Sequence, residues 1–218
     1  MKLILEFDDL NPHQNVDCLP IIRYLVEKYP NIVLNFFTVP CYEGMYLYND
    51  KEWLEEIKNY VDMGNVNLAV HGTYHEILEY KKKDYKQSLK SLSESYSVFD
   101  IAKLPVSKVF RGPYWGINED SVRALIDLGY THLYSHKDYE ELNNKFADKI
   151  KIVYYNWNLK DDWPTLENPL TSDILVAHGH TSKYSNLSCG NSIWNVCHKI
   201  SMFIDDNPDV EFLTVDDF

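Results

Sequence analysis

Val66-Asn67-Leu68-Ala69-Val70-His71-Gly72-Thr73-Tyr74-His75 decides how this chain is read. Its first five residues form a short apolar run of the kind that makes a buried strand. His71-Gly72-Thr73-Tyr74-His75 follows at once, where the strand ends and a turn begins. Two imidazoles four residues apart meet only if the segment between them turns helically, with side-chain roots roughly 5–6 Å apart. The carboxylate pair Asp8-Asp9 lies at the end of another apolar run, Leu3 to Phe7. A carboxylate brought from that strand end to His71 and His75 makes a three-donor set for a divalent ion, with coordination positions left for water and substrate.

Working outward, β-type runs occur at Leu3 to Phe7, Ile32 to Val39, Val66 to Val70, Lys108 to Phe110, Thr131 to Tyr134, Ile150 to Trp157, Asp173 to Ala177 and Glu211 to Val215. Helical patterns separate most of them. Cys18 to Tyr29 carries an apolar stripe and stops at Pro30, and Glu52 to Met63 carries another and stops at Gly64. Asn118-Glu119-Asp120 opens a helix over Ser121 to Leu128, and Asn191 to Asp205 forms the last one. Alternating strands and helices imply a parallel sheet, closed as a (β/α) barrel or open and doubly wound. The barrel is favoured, because polar groups follow one strand after another: Asp8-Asp9, His71, Arg111, Asp161-Asp162 and His178. A barrel gathers all of these ends on one face, whereas an open sheet gathers only those beside its switch point.

No linker, repeat or low-complexity segment divides the 218 residues, so residues 1–218 read as a single catalytic domain. Acidic residues outnumber basic ones by 33 to 21, for a net charge of −12, and Lys81-Lys82-Lys83 is the one basic run. Nucleic acid and anionic membranes are therefore poor partners. Cys18, Cys41, Cys189 and Cys197 show no paired spacing and read as reduced thiols. No apolar run approaches the roughly 18 residues of a membrane span. Met1 to Leu5 is too short for a signal-peptide core, so a cytoplasmic location is expected.

Single signals carry little alone. An acidic pair after a strand commonly caps a helix or makes an Asx-turn. His132 and His136 repeat the spacing of His71 and His75, but after Gly129-Tyr130 they read as a strand that holds the rings roughly 13 Å apart. They cannot share an ion.

Taken in order, Phe7-Asp8-Asp9, His71-Gly72-Thr73-Tyr74-His75, Arg111-Gly112-Pro113-Tyr114 and Val176-Ala177-His178 resemble four of the five motifs of the polysaccharide deacetylases, carbohydrate esterase family four. The resemblance implies a distorted (β/α) barrel of about seven parallel strands and metal-dependent removal of N-acetyl, or sometimes O-acetyl, groups from sugars. Carried over, Asp9, His71 and His75 would hold the ion and Asp8 would be the general base. His178 would be the general acid, Arg111 would orient Asp8, and the backbone N–H of Tyr114 would support the oxyanion. Zinc suits such donors, though iron, cobalt, nickel or manganese could fit.

The sequence departs from the family at several points. Glu6 and Leu10 flank the first motif in place of Thr and Gly. Asp162-Trp163 match the end of the fourth motif, but Leu159 replaces its first Asp, which leaves Arg111 without its usual acidic partner. His180 competes with His178 for the acid's role. Trp115 and Trp163 are candidates for stacking on sugar rings, with packing the plain alternative. An amidohydrolase acting on a non-sugar amide, or a glycan-binding protein with a degenerate site, are the alternative functions.

Overall fold

The computed structural model describes residues 1–159, 173–180 and 193–218, with the backbone alone for 193–195. Its strands are β1 (Lys2–Leu10), β2 (Leu34–Thr38), β3 (Cys41–Tyr42), β4 (Met45–Tyr46), β5 (Val66–Val70), β6 (Val109–Phe110), β7 (His132–Tyr134), β8 (Lys151–Val153), β9 (Trp157–Asn158), β10 (Ile174–His180) and β11 (Glu211–Phe212). The α-helices are α1 (Leu19–Lys28), α2 (Lys51–Asp62), α3 (Glu79–Lys82), α4 (Tyr85–Ala102), α5 (Glu119–Asp127), α6 (Glu140–Phe146) and α7 (Ile193–Asp206).

Among the described residues nine strands form one parallel sheet in the order β8-β7-β6-β5-β2-β1-β10-β9, with β11 beside the start of β1. Strands β8 and β9 end this path but are consecutive in the chain, so the sheet curls back to within a few residues of itself. This is a distorted (β/α) barrel, as expected, with eight strands around the path rather than about seven. β3 and β4 form a small separate hairpin.

The central strands β1, β2, β5 and β10 are buried on both faces over most of their length, as parallel sheets are, and the two faces carry different chemistry. Leu3, Leu5, Phe7, Phe36, Leu68 and Phe110 point outward into the main core under the helices. Ile4, Phe37, Ala69, Val109, Tyr134, Val153 and Val176 point inward and pack with Leu213 and Val215. The inward face changes character along each strand. Ile4 is followed at alternate positions by Glu6 and Asp8, Ala69 by His71, Val109 by Arg111, and Val176 by His178 and His180. The lower barrel is thus an apolar plug and the upper barrel a layer of ionisable groups.

Local signals start the helices. Asp50 accepts from the Trp53 N–H to cap α2, Asn118 from the Ser121 N–H to cap α5, and Asp84 with Gln87 forms a capping box on α4. Three features differ from the sequence reading. Asp8-Asp9 and His178 lie within β1 and β10 rather than after them. The run Ile150 to Trp157 is two strands, because β8 pairs with β7 and β9 with β10. Helix α4, with no clear apolar stripe in the sequence, buries Ser88, Ser91 and Ser95 beside Leu92, Val98 and Phe99. No described helix is long and apolar enough to cross a membrane.

The C-terminal segment closes the bottom of the barrel through buried Asn35. Its Nδ2 donates to the carbonyls of Leu5 and Leu213, at 3.1 and 3.0 Å, and its Oδ1 accepts from the Val215 N–H at 2.9 Å. Tyr134 also donates its hydroxyl proton to the Val215 carbonyl. Asn35→Ala strands these groups, so it should lower the unfolding free energy by about 2–4 kcal/mol. A urea midpoint close to that of the parent protein would show that this anchor does not hold the segment.

Candidate active site

Asp8 and Asp9 are neighbours on one strand, and regular alternation would send them to opposite faces. The backbone prevents this. The pairing of β1 with β2 slips between Asp8 and Leu10, and Asp9 has a φ of 75°. This bulge turns the Asp9 carboxylate toward the same site as Asp8, at the cost of a left-handed conformation for a non-glycine residue.

The loop carrying His71 and His75 is not the helical turn expected. It bends through left-handed conformations at Gly72 (φ 69°) and His75 (φ 58°), which bring the two rings to 5.1 Å between centroids. Gly72 is required here, since a Cβ would lie 2.5 Å from Pro113 Cγ. Thr73 fixes the loop from below. Its hydroxyl bonds to Ser91 Oγ at 2.7 Å, Ser95 Oγ at 2.9 Å and the Tyr80 hydroxyl at 2.9 Å. The buried Glu79 carboxylate accepts from the Thr73 and Tyr74 N–H groups and pairs with Lys83 at 3.0 Å. The serines that blur the apolar stripe of α4 are therefore the ones that grip this loop.

Two clusters of ligand atoms result among the described residues, Asp9–His71–His75 and Asp8–His178–His180. In the first, Asp9 Oδ1 lies 2.9 Å from His75 Nε2 and 3.4 Å from His71 Nε2. Ligands at about 2.0–2.1 Å from a tetrahedral ion lie roughly 3.3 Å from one another, so the set fits a divalent cation. Two further observations agree. Asp9 Oδ1 is buried with no aligned hydrogen-bond donor. His71 Nδ1 lies 3.1 Å from the Arg111 carbonyl, which accepts a hydrogen bond from its N–H and leaves Nε2 as the ligand atom. Burial pushes the Asp9 carboxyl up, but the His71 and His75 imidazoles beside it outweigh this and hold it well below its ordinary value. Burial pushes His71 down, and Asp8 and Asp9 together raise it above the usual imidazole range.

The second cluster is built around Arg111, 1% exposed. Its Nη1 donates to Asp8 Oδ1 at 2.5 Å and its Nη2 donates to Glu6 Oε1. The guanidinium lies 3.9 Å from the centre of the Phe37 ring and 4.5 Å from that of Trp115. Burial would raise the Asp8 carboxyl, but Arg111, with His71, His178 and His180, holds it far below the ordinary carboxylate range. Glu6 is the residue the sequence reading missed. It supplies the acidic partner that Leu159, fully buried, does not. A charged residue in an apolar strand, two before Asp8, was the available signal.

His178 Nδ1 faces Arg111 Nη1 at 3.1 Å and Glu6 Oε1 at 3.3 Å, so a donor and an acceptor both lie beside it. Both contacts hold the ring at Nδ1, and its Nε2 has no hydrogen-bond partner. His180 does not turn away at Gly179, because β10 runs straight through it and pairs His180 opposite Asp8.

The remaining candidates separate. Tyr114 (φ 54°) is exposed, with its ring 5.2 Å from that of His75. Trp115 lies against Arg111 and 5.1 Å from the His178 ring, walling the site from one side. Asp162, Trp163 and Cys189 lie outside the described residues. Cys18, Cys41 and Cys197 are buried. His132 is in β7, while His136 follows it and packs against Trp115.

No protein-family model and no curated protein matches the chain. Solved structures do. The peptidoglycan deacetylase PdaC from Bacillus subtilis matches with a TM-score of 0.60 at 14% identity, covering 99% of this chain and 88% of that one. The chitin deacetylase from the fungal pathogen Colletotrichum lindemuthianum gives 0.60 at 14%, covering 98% and 85%. A 4-alpha-glucanotransferase from Thermococcus litoralis gives 0.66 at 12%, covering 100% of this chain and 40% of that one. At such identities the likeness is one of fold, and the fold is that of the polysaccharide deacetylases.

Glu6→Ala leaves the buried guanidinium with Asp8 alone, so it should cost about 3–5 kcal/mol in unfolding free energy, with an unchanged urea midpoint as the contrary result. Acid sensitivity should also change in one direction. A carboxyl depressed by folding stabilises above its unfolded value of about 3.9 and loses that contribution as pH falls through its folded value. In metal-free protein, Asp8→Asn should therefore flatten the loss of stability below about pH 4; an equally steep acid limb would contradict the assigned ion pair.

Proposed function

We propose that this chain is a metal-dependent hydrolase that removes acetyl groups, N-acetyl foremost, from a sugar, oligosaccharide or glycan precursor. The observation that carries the reading is the contact between the two clusters: Asp8 Oδ2 lies 3.8 Å from His71 Nε2, so a base and an acid adjoin the Asp9–His71–His75 donor set. The fold agrees with it, since solved structures of that fold include a peptidoglycan deacetylase and a chitin deacetylase.

Asp9, His71 and His75 would hold one divalent ion, with zinc the first choice for two imidazoles and a carboxylate and iron, cobalt, nickel or manganese as alternatives. When bound, the ion supplies Lewis acidity at the acyl oxygen and at water. Asp8 accepts the proton of the water that attacks the acyl carbon. Arg111 keeps that carboxylate ionised and aimed, and Glu6 balances the guanidinium. The backbone N–H of Tyr114 donates to the oxygen on which charge develops; the hydrogen bonds of its own turn come instead from the Trp115 and Gly116 N–H groups. His178 Nε2 then delivers a proton to the departing amine, while Glu6 and Arg111 hold Nδ1. Trp115 shields Arg111 and His178 from water, and Tyr114 offers an exposed ring beside the ligand set. Asp162 and Trp163 remain candidates from the fourth-motif resemblance alone.

His71→Ala and His75→Ala should each lose the tightly bound ion, measured by elemental analysis after dialysis. Asp8→Asn and His178→Ala should keep it and lose turnover on N-acetylated sugar oligomers by about 10²–10⁴-fold. Full metal loading of both histidine variants, or full activity in Asp8→Asn, would overturn the reading, and turnover confined to non-sugar amides would move it to another substrate class.

A further inference from the structure

We infer that Asp8, His178 and His180 form a second divalent-cation site, next to the first and sharing its rim. Asp8 Oδ2 lies 4.0 Å from His178 Nε2 and 3.9 Å from His180 Nε2, and the ligand atoms of all three residues fall within 4.8 Å of one another. Shortening of the two Asp8 separations by about 0.6–0.7 Å brings them to the roughly 3.3 Å spacing of ligands around a tetrahedral ion at about 2.0–2.1 Å.

The strand pairing builds this arrangement. β1 and β10 run in parallel with Glu6 opposite His178 and Asp8 opposite His180, so the two imidazoles and two carboxylates share the inward face at consecutive alternate positions. Gly179 keeps the strand straight between the histidines. It faces outward with little room for a side chain, since a Cβ would lie 3.0 Å from Leu159 Cδ1 and 3.2 Å from Phe7 Cδ1. One feature points to a ligand. His178 Nε2 is buried and aimed into the cluster without a hydrogen-bond partner. His178 Nδ1 lies 3.1 Å from Arg111 Nη1 and 3.3 Å from Glu6 Oε1, so coordination through Nε2 needs the tautomer whose Nδ1–H faces Glu6.

Charge sets the order of filling. Glu6, Asp8 and Asp9 carry three negative charges against the one positive charge of Arg111, so a first divalent ion neutralises the pocket. A second ion leaves it positive and has to bring an anion, which makes this the weaker site. It also occupies Asp8 Oδ2 and His178 Nε2, the atoms that the proposed function uses for proton transfer. The binding test is independent of that function.

Chelator-treated protein, dialysed against increasing Zn2+ and analysed for bound metal, should take up a second equivalent of zinc after the first. His180→Ala should stop at one. His71→Ala should lose the tight ion and keep the weaker one. In zinc-soaked crystals the second anomalous peak should lie among Asp8, His178 and His180. Saturation of the parent protein at one zinc, an undiminished second equivalent in His180→Ala, or a second peak at any other place would overturn the proposal. Because His180 is part-exposed, its truncation leaves the core intact, and the parent stoichiometry tests the site without any variant.

Discussion

The buried charge of Arg111 is the constraint on which the rest of the upper barrel depends. A guanidinium removed from water costs several kcal/mol unless carboxylates and hydrogen bonds compensate it. Here Glu6 and Asp8 supply the charge, and the rings of Phe37 and Trp115 lie against the group. The same residue orders both clusters. Its side chain fixes Asp8, Glu6 and His178, while its backbone carbonyl sets the tautomer of His71. The donor set of one cluster and the groups proposed for proton transfer in the other are thus tied to one position in the chain.

The rim stores strain around this centre. Asp9, His75, Tyr114 and Trp115 all have positive φ, and each such conformation costs about 1–3 kcal/mol in a non-glycine residue. It persists because neighbours over-determine it. The β1 bulge fixes Asp9, and the Thr73–Glu79–α4 network fixes the loop that ends at His75. The Arg111–Ile117 turn is fixed by glycines that permit contact, since a Cβ on Gly112 would meet the Gly116 carbonyl oxygen at 2.5 Å. The stability of the lower, apolar barrel is what sustains these conformations.

The same barrel houses sugar deacetylases and a glucanotransferase, so the fold alone does not choose the chemistry. The choice rests on the side chains of the upper layer. In this chain they depart from the usual deacetylase pattern in a coordinated way, with a carboxylate at position 6 where Leu159 has none to give. The pairing of Glu6 with Arg111 spans 105 residues of sequence and restores the local charge balance from a different strand.

The sequence by itself determined the alternation of strands and helices, the parallel barrel, and the order of polar groups at the strand ends. These are written in short-range periodicity, caps and turn residues, which act within a few positions of one another. It did not reveal helix α4, whose buried face is partly serine, nor the split of Ile150 to Trp157, whose halves are distinguished by which strands they meet. Only the tertiary structure decided that Asp8 and Asp9 share a face, that Glu6 rather than residue 159 balances Arg111, and that His180 stands opposite Asp8. A buried charge is stable only with a partner close in space. Sequence separation does not limit who that partner is, and the register of β1 against β2 and β10 settles the matter.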